Sequence, residues 1–313
     1  MSPLRLAIVV PCFNEAAVLP ETNRRLLALL DRLQAAGQID AGSAVHYVDD
    51  GSRDGTWALI EAFAAADGRA HGLRLAHNRG HQGALLAGLL TVEGDVLVSL
   101  DADLQDDPDA IEAMLGAHRR GAEIVYGVRA SRDSDTAFKR GSARGYYRLM
   151  QRLGVDLVFN HADFRLMSRR AIEALRQFDE SNLFLRGIVP TIGFSVATVA
   201  YERGARLAGE SKYPLRKMLG FALEGITSFS TVPLRLITML GFLISAFSFA
   251  MILWVLYGHL VQGALVPGWA SSVVPIYFIG GIQLLCIGIL GEYVAKIYLE
   301  TKRRPRFIID KRI

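Results

Sequence analysis

Five aspartates crowd into nine positions of the segment SLDADLQDDPD, directly after the apolar run GDVLVSL. Carboxylates held this close together raise one another's pKa unless a cation joins them. A divalent ion that prefers oxygen ligands, Mg²⁺ or Mn²⁺, removes the repulsion and keeps coordination positions for the phosphates of a substrate. Aspartate and proline also form turns, so a solvated loop is the alternative for such a segment. The neighbouring motifs decide between the two interpretations.

Short apolar runs alternate with helical patterns along the N-terminal part of the chain. The candidate strands are LRLAIVVP, SAVHYVDD, GLRLAHN, DVLVSLD and AEIVYGVR, and the segments between them carry the ~3.6-residue apolar spacing of helices. This alternation predicts an α/β fold with a mostly parallel sheet covered on both faces. Ligands of such sheets bind beyond the carboxyl ends of the strands. We therefore expect one rim, formed by Pro11, Phe13, Asn14, Glu15, Asp49, Asp50, His81, Gln82, Asp101, Ala102, Asp103 and Arg129.

The last third of the chain is strongly apolar. Of the 313 residues, 51% are hydrophobic, and no Asp, Glu, Lys or Arg occurs from Leu236 to Gly291. This stretch contains two apolar runs, each close to the ~20 residues that a helix needs to cross a bilayer. It predicts a C-terminal hairpin of two transmembrane helices, with a pair of buried core helices as the alternative.

Basic residues flank the two apolar runs, whereas the segment that links the runs has no Lys or Arg. By the positive-inside rule, the α/β domain and both termini are cytoplasmic, and the linking loop faces outward. The sequence thus predicts a multi-pass protein of the inner (cytoplasmic) membrane. The net charge of +4 favours an anionic membrane surface as partner over nucleic acid.

The motifs VVPCFNE, VDDGSRDGT, NRGHQGALLAG, LDADLQDDP and DFRLMSR, in this order, resemble those of the family 2 glycosyltransferases. These enzymes use nucleotide sugars and have the GT-A fold. The segment RGARLAGESKYPLRKM and the two apolar runs are similar to the branch that includes dolichol-phosphate mannose synthase and bacterial undecaprenyl-phosphate glucosyltransferases. Nearly the whole chain takes part in the resemblance. We expect a Rossmann-like GT-A domain at 1–211, an amphipathic interfacial helix region at 212–232, two transmembrane helices at 233–298 and a basic cytoplasmic tail at 299–313.

The resemblance also implies roles for the rim residues. The nucleotide sugar would be bound by Pro11, Phe13, Asn14, Glu15, Asp49, Asp50, Asp101, Ala102 and Arg129. The Mg²⁺ or Mn²⁺ ion would be held by Asp101, Asp103 and Gln105. The residues themselves leave two alternatives open: Asp49 and Asp50 can close a turn after their strand, and Asn14 and Glu15 can cap the next helix.

Arginines recur every four residues in the segment FKRGSARGYYRLMQRLG. On a helix, like charges at this spacing repel by ~0.2–0.5 kcal/mol per pair, so a compensating anion is expected. We interpret Lys139, Arg140 and Arg144 as the residues that bind the phosphate of a polyisoprenyl phosphate acceptor, while the remaining arginines meet the anionic head groups of membrane lipids. A solvated basic face is the alternative.

The chemistry follows from the charge of the acceptor. A polyisoprenyl phosphate is already anionic at neutral pH, because the second pKa of a phosphate monoester lies near ~6. Its attack on the sugar C1 inverts the anomeric centre and expels a nucleoside diphosphate, which the metal, Arg206 and Lys212 would stabilise. Asp163 is the candidate base or orienting residue, with a helix cap or a salt bridge to Arg165 as the alternative. His81 and Gln82 open a helix whose N-terminus is either a phosphate site or a simple cap.

The predicted function is transfer of a hexose, glucose from UDP-glucose first, to undecaprenyl phosphate, which gives a lipid-linked sugar donor for envelope glycans. The alternatives are another donor, such as a UDP-N-acetylhexosamine or GDP-mannose, and a catalytically silent membrane scaffold. A processive polysaccharide synthase would show a Q-x-x-R-W sequence, which the chain lacks. A nucleotidyltransferase would show a Gly-rich loop where this chain has PCFNE. The sequence leaves the oligomeric state open, a homo-oligomer included.

Overall fold

The structure is a computed structural model that describes residues 2–129, 161–180, 185–202, 232–262 and 269–313. The chain divides into two compact units. The larger unit contains the α/β region together with the C-terminal residues 304–313, and the smaller unit contains two long apolar helices.

The first part of the larger unit alternates strands and helices. Its elements are β1 (Leu6–Cys12), α1 (Leu19–Ala35), β2 (Ala44–Asp49), α2 (Thr56–Ala66), β3 (Ala70–Leu75), α3 (Gly80–Thr91), β4 (Val96–Ser99), α4 (Ala110–Arg119) and β5 (Ile124–Arg129). All five predicted strands are present in predicted order. The remaining elements of this unit are β6 (His161–Ser168), α5 (Arg169–Arg176), α6 (Leu185–Thr191), β7 (Val196–Tyr201) and β8 (Ile309–Arg312).

The strands form one eight-stranded sheet in the order β7-β5-β6-β4-β1-β2-β3-β8. Neighbours pair in parallel at β1–β2, β1–β4, β2–β3 and β5–β7. Strand β6 is antiparallel to β4 and β5, and β8 is antiparallel to β3. The predicted α/β fold with a mostly parallel sheet is therefore confirmed.

The central strand β1 is buried along its whole length, as expected for a strand covered on both faces. Ile8 belongs to the same core cluster as Leu26 of α1. Val9 points to the opposite face and meets α3, where a Cβ on Gly88 would lie only 2.3 Å from its Cγ1. Glycine at this position lets α3 approach the sheet closely and so fixes the start of α3 near the carboxyl ends of the strands.

The smaller unit consists of α7 (Val232–Gln262) and α8 (Trp269–Thr301). The segments Val232–Met251 and Phe278–Thr301, with mean hydropathy of 1.8 and 1.7, are long and apolar enough to cross a membrane. Both windows are 0% buried within the protein. Large apolar side chains such as Phe242 and Leu284 are exposed along them, as on a surface that lipid would cover. The expected interfacial region before α7 lies almost entirely outside the described residues.

Candidate active site

The parallel register brings the carboxyl ends of three neighbouring strands to one edge of the sheet. Cys12 at the end of β1 pairs with Asp49 at the end of β2, and Ser99 at the end of β4 pairs with Val9. The loops that follow these strands therefore begin side by side. They carry most of the rim residues that the sequence predicts.

Hydrogen bonds between backbone amides and side-chain oxygens tie the loop after β1 to the loop after β2. Asn14 adopts a left-handed backbone conformation with φ 56°, which asparagine tolerates better than most residues. Its amide donates to Oγ of Ser52 at 2.9 Å, and its Oδ1 accepts from the amide of Arg53 at 2.9 Å. This bracing leaves Phe13 exposed on the rim.

The helix-capping alternative for the PCFNE motif is wrong. The N-cap residue of α1 is Val18, and no side chain caps this helix end. The amide of Glu15 donates instead to Oγ1 of Thr56 at 2.9 Å, a second tie between the two loops. Asn14 and Glu15 therefore shape the rim instead of starting a helix.

The two acids after β2 are buried and have different environments. Asp49 closes a turn, because its Oδ1 accepts from the amide of Ser52 at 3.1 Å, as the turn interpretation predicted. Its Oδ2 makes no hydrogen bond to the described residues and lies 3.6 Å from Nε of Arg74. Asp50 accepts from the amide of Arg79 at 2.6 Å, yet burial raises the pKa of this carboxyl.

A cavity of about 350 Å³ opens beside these acids, and we call it the rim pocket. Its volume is typical of small-molecule sites, which range from ~300 to 1,000 Å³. Gly51 lines it with φ 72°, and a Cβ there would lie 3.2 Å from the amide nitrogen of Asn78. A larger residue would strain this turn. The lining consists of Phe13, Gly51, Arg53, Arg74, Leu75, Ala76, His77, Asn78 and Asp310.

The acids that follow β4 separate from one another. Asp106 is buried and bonds to the hydroxyl of Tyr201, and Asp109 accepts from an arginine of α1 at 2.6 Å on the surface. Asp101 and Asp103 remain at the rim, and Oδ1 of Asp103 accepts from the amide of the residue two positions further on at 3.1 Å. Structural roles thus account for part of the acidic cluster.

Asp163 on β6 is the centre of a charged cluster that reaches the rim. Its carboxylate accepts from Arg165 at 2.7 Å, from Arg186 at 3.1 and 3.2 Å, and from Gln82 at 3.1 Å, while Nε2 of His81 lies 3.4 Å away. Burial acts to raise the pKa of Asp163, but the hydrogen bond to His81 and the charges of the two arginines hold this pKa well below its ordinary value. The salt-bridge alternative is confirmed. We call these five residues the Asp163 cluster.

His81 connects the Asp163 cluster to the acids after β4, since its Nε2 lies 3.6 Å from Oδ1 of Asp101. Burial acts to lower the pKa of His81, but the hydrogen bond to Asp163 and the charge of Asp101 raise it overall. Burial raises the pKa of Asp101 to about 6, assisted by Asp163, Asp106 and Asp103 and opposed by His81. Burial and three neighbouring acids therefore disfavour the ionised form of Asp101.

The chemistry of this donor set fits a hard divalent cation. No three His, Cys, Asp or Glu side chains of the described residues converge as a complete metal-binding group. Mg²⁺, however, is commonly bound by one or two carboxylates together with substrate phosphates. Asp101 and Asp103 supply two carboxylates, and a bound cation would favour the ionised form of Asp101.

The other predicted site residues have varied positions. Pro11 is buried within β1, and the carbonyl of Ala102 accepts from Oγ1 of Thr22 at 2.7 Å, so both support the rim from beneath. Arg129 ends β5 and hydrogen-bonds to Tyr201. Five further predicted residues lie outside the described part of the chain: Lys139, Arg140, Arg144, Arg206 and Lys212.

Sequence reasoning missed Arg186, which binds both carboxylate oxygens of Asp163. It lies at the start of α6, in a segment without a recognised motif. It also missed Asp310, which lies in strand β8 after the second apolar helix and lines the rim pocket. The sequence gives no local signal for either contact.

Comparisons with known proteins agree with this arrangement. Residues 7–176 match Glycosyl transferase family 2. The chain is 50% identical over 307 residues to "Uncharacterized glycosyltransferase YkoT" of Bacillus subtilis (strain 168), covering 97% of this chain and 91% of that protein. It is 37% identical over 310 residues to "Bactoprenol glucosyl transferase" of Shigella phage SfX, covering 99% of this chain and 100% of that protein.

The fold is shared with a solved structure of low sequence identity. The crystal structure of mannosyl-3-phosphoglycerate synthase from Rubrobacter xylanophilus matches with a TM-score of 0.50 and 18% identity over 71% of each chain. The α/β unit thus has a fold of the GT-A type. The chain belongs to glycosyl transferase family 2, which confirms the family resemblance of its motifs.

Proposed function

We propose that this protein is a membrane-bound inverting glycosyltransferase that moves a hexose, glucose from UDP-glucose, onto a polyisoprenyl phosphate such as undecaprenyl phosphate. The observation that carries the proposal is the extent of the similarity to a bactoprenol glucosyl transferase, 99% of this chain and 100% of that protein. The shared sequence therefore includes the apolar helices as well as the rim. Two candidate spans suit an acceptor whose hydrocarbon chain lies in a bilayer.

The rim pocket is the proposed site for the nucleoside of the donor. Asp49 supports this pocket without lining it, because its side chain is 0% exposed and its Oδ2 lies 3.6 Å from Nε of Arg74, which does line the pocket. This ion pair holds Arg74 at the pocket wall. The exposed ring of Phe13 at the pocket wall supplies an apolar face for a base.

The donor diphosphate is proposed to lie between the rim pocket and the Asp163 cluster. Asp101 and Asp103, with Gln105, would hold Mg²⁺ or Mn²⁺ there. When bound, this cation neutralises the diphosphate and makes it a better leaving group. Arg206 and Lys212 are proposed to share the charge of the leaving group.

For the acceptor, positioning matters more than deprotonation, because a phosphate monoester is already anionic at neutral pH. We propose that Asp163 orients its partners and is not the base, since its low pKa and several donors leave it ionised and occupied. Arg186 remains 44% exposed and His81 43% exposed, so both can bind phosphate oxygens at the rim. Lys139, Arg140 and Arg144 are the proposed further ligands of the acceptor phosphate.

The proposed location is the cytoplasmic membrane, with the glycosyltransferase domain and both termini in the cytoplasm. The basic residues on either side of the apolar helices support this orientation. The proposed boundaries are 1–211 for the glycosyltransferase domain, 212–232 for an interfacial region and 233–298 for the spans. Residues 299–313 form the cytoplasmic tail, which includes β8.

The direct test is sugar transfer by the purified full-length protein in detergent. Radiolabelled UDP- and GDP-sugars are offered in turn with polyisoprenyl phosphate, with Mn²⁺ or Mg²⁺ or with chelator. We expect metal-dependent label in the lipid phase from UDP-glucose. Label from another sugar nucleotide would show that this nucleotide, and not UDP-glucose, is the donor. Nucleotide binding without transfer from any donor would support the scaffold alternative.

A further inference from the structure

Within the proposed C-terminal tail, residues 304–313 return to the sheet after the second apolar helix. Its strand β8 lies at the outer edge, antiparallel to β3. The amide of Ala76 donates to the carbonyl of Ile308 at 2.9 Å, and Gly72 and Ile313 exchange two backbone hydrogen bonds of 3.0 Å. The tail therefore enters the sheet at the carboxyl end of β3, beside the rim.

Before it joins the sheet, the tail contacts two loops of the larger unit. The carbonyl of Pro305 accepts from the Arg79 guanidinium at 3.4 Å. Arg306 is only 16% exposed, bonds to the carbonyl of Phe178 and lies 3.8 Å from Asp179. These contacts fix the tail between the loop after β3 and the loop after α5.

A β-bulge in the tail aims one side chain at the rim pocket. Lys311 pairs with Arg74 and Ile309 pairs with Leu75, so Asp310 is the extra residue between two consecutive partners. Bulges re-aim side chains and are common next to active sites. Asp310 lines the rim pocket, whereas Lys311 lies 3.8 Å from Glu61 of α2.

Asp310 gives the pocket a chemistry that its other walls lack. Arg53 and Arg74 are donors suited to phosphate, and an ionised carboxylate only accepts hydrogen bonds. A carboxylate would repel the diphosphate of the donor but would accept from ribose hydroxyls or from an N–H of the base. A carboxylate in the lining of the pocket thus favours the nucleoside part of the donor.

We propose that Asp310 of the C-terminal tail is a donor-binding residue that accepts a hydrogen bond from the nucleoside of the sugar nucleotide. This inference rests on the proposed function, because it assumes a nucleotide sugar in the rim pocket. Asp310 follows both apolar helices in the sequence, whereas the other residues that line the pocket precede them. The tail is accordingly a wall of the donor site as well as an edge strand.

The test compares Asp310→Ala with Lys311→Ala in the full-length protein in detergent. Binding of UDP and of uridine is measured by titration calorimetry, and transfer kinetics are measured with varied donor. For Asp310→Ala we expect about tenfold weaker binding of both ligands and a donor KM about tenfold higher at unchanged kcat, the loss of roughly one hydrogen bond to a charged group. Lys311 is the adjacent residue and lies outside the pocket. The ligand affinities and the donor KM of Lys311→Ala should therefore match those of the wild type.

The outcomes separate this inference from the function on which it rests. If the wild type binds UDP and Asp310→Ala binds UDP and uridine within twofold of it, the inference is wrong and the proposed function stands. If the wild type binds neither UDP nor any other nucleoside diphosphate, both are wrong. Asp310→Asn keeps the shape of the side chain and loses its charge. Its affinity for UDP and uridine should lie between those of Asp310→Ala and the wild type, and its unfolding temperature should equal that of the wild type.

Discussion

Two arginines share the carboxylate of Asp163, and their surroundings give them different roles. The side chain of Arg165 is 0% exposed, so its charge depends on Asp163 for compensation. Arg186 is 44% exposed and lies at the edge of the cluster. Removing one partner of a buried ion pair leaves an uncompensated charge, whereas an exposed pair contributes little to stability. Arg165 therefore anchors the fold, whereas the proposed role of Arg186 is to bind a phosphate group of the substrate.

The first prediction concerns Asp163→Asn. We expect this change to destabilise the protein by about 3–5 kcal/mol, because it leaves Arg165 buried without its counter-ion. The measurement is the free energy of unfolding of the glycosyltransferase domain, which is obtained by denaturant titration of the full-length protein. An unfolding free energy equal to that of the wild type would show that Arg165 does not need this carboxylate.

Arg186→Gln should separate activity from stability. We expect its unfolding free energy to change by less than about 1 kcal/mol, since Arg186 is 44% exposed and Asp163 keeps Arg165 as its counter-ion. The transfer rate should fall about 100-fold or more, as is typical when a charge that faces the reacting phosphates is lost. The control is Arg176→Gln, which breaks an exposed ion pair. Arg176 and Glu173 are 3.0 Å apart in this pair, and the pair lies away from the rim. Wild-type transfer by Arg186→Gln would contradict the proposed phosphate-binding role.

Asp103 and Asp109 belong to the same acidic segment but have different environments. We expect Asp103→Asn to reduce metal-dependent transfer by about 100-fold or more, because the cation loses a carboxylate ligand. Asp109→Asn should retain transfer, since this residue pairs with Arg32 at 2.6 Å on the surface. Initial rates over a Mn²⁺ concentration series test both variants. Equal loss in the two variants would mean that the segment acts through its total charge.

Among the elements, β2 and β3 carry a pair of stacked imidazoles, His46 and His71, whose ring centroids are 4.9 Å apart. Burial lowers the pKa of His46 from 6.5 to about 3, assisted by the charges of His71, Arg312 and Arg5. Between pH 6.5 and about 3, His46 is protonated in the unfolded chain and neutral in the folded protein. The contribution of His46 to stability is therefore complete above about pH 6.5 and is lost progressively as the pH falls towards 3.

His46→Phe tests this pH dependence. We expect the unfolding temperature of the wild type to fall more steeply than that of the variant between about pH 6.5 and 4.5. Thermal unfolding of both proteins in the same detergent buffers provides the comparison, and the difference between the curves cancels the other titrating groups, Asp101 among them. Parallel curves would show that His46 accepts a proton in the folded protein.

The first five strands along the chain were predictable, and β6, β7 and β8 were not. Strand β1 is apolar throughout because it is buried on both faces, and its sequence shows this directly. Strand β6 contains Asp163 and Arg165, a buried ion pair that interrupts the apolar pattern. Strand β8 has the polar sequence IDKR and owes its position to pairing with β3. Local patterns carry no information about such pairing.

For the whole molecule, the sequence predicted where the rim would form but not all of its members. Acids and amides that directly follow apolar strands were placed together correctly, because parallel strands end at the same edge. Arg186 and Asp310 reach the rim from separate parts of the chain, and only the folded chain brings them there. The larger unit is completed by residues on both sides of the apolar helices in sequence, a feature that composition does not reveal.

The measurement that tests the central claim most directly is the mass of the lipid product. The full-length protein and its Asp103→Asn variant are incubated with UDP-glucose, Mn²⁺ and undecaprenyl phosphate, and the extracted lipid is analysed by mass spectrometry. We predict undecaprenyl phosphate with one added hexosyl group for the wild type and its near absence for the variant. Unmodified lipid in the wild-type reaction, with every sugar nucleotide offered, would contradict the proposed transfer to a polyisoprenyl phosphate.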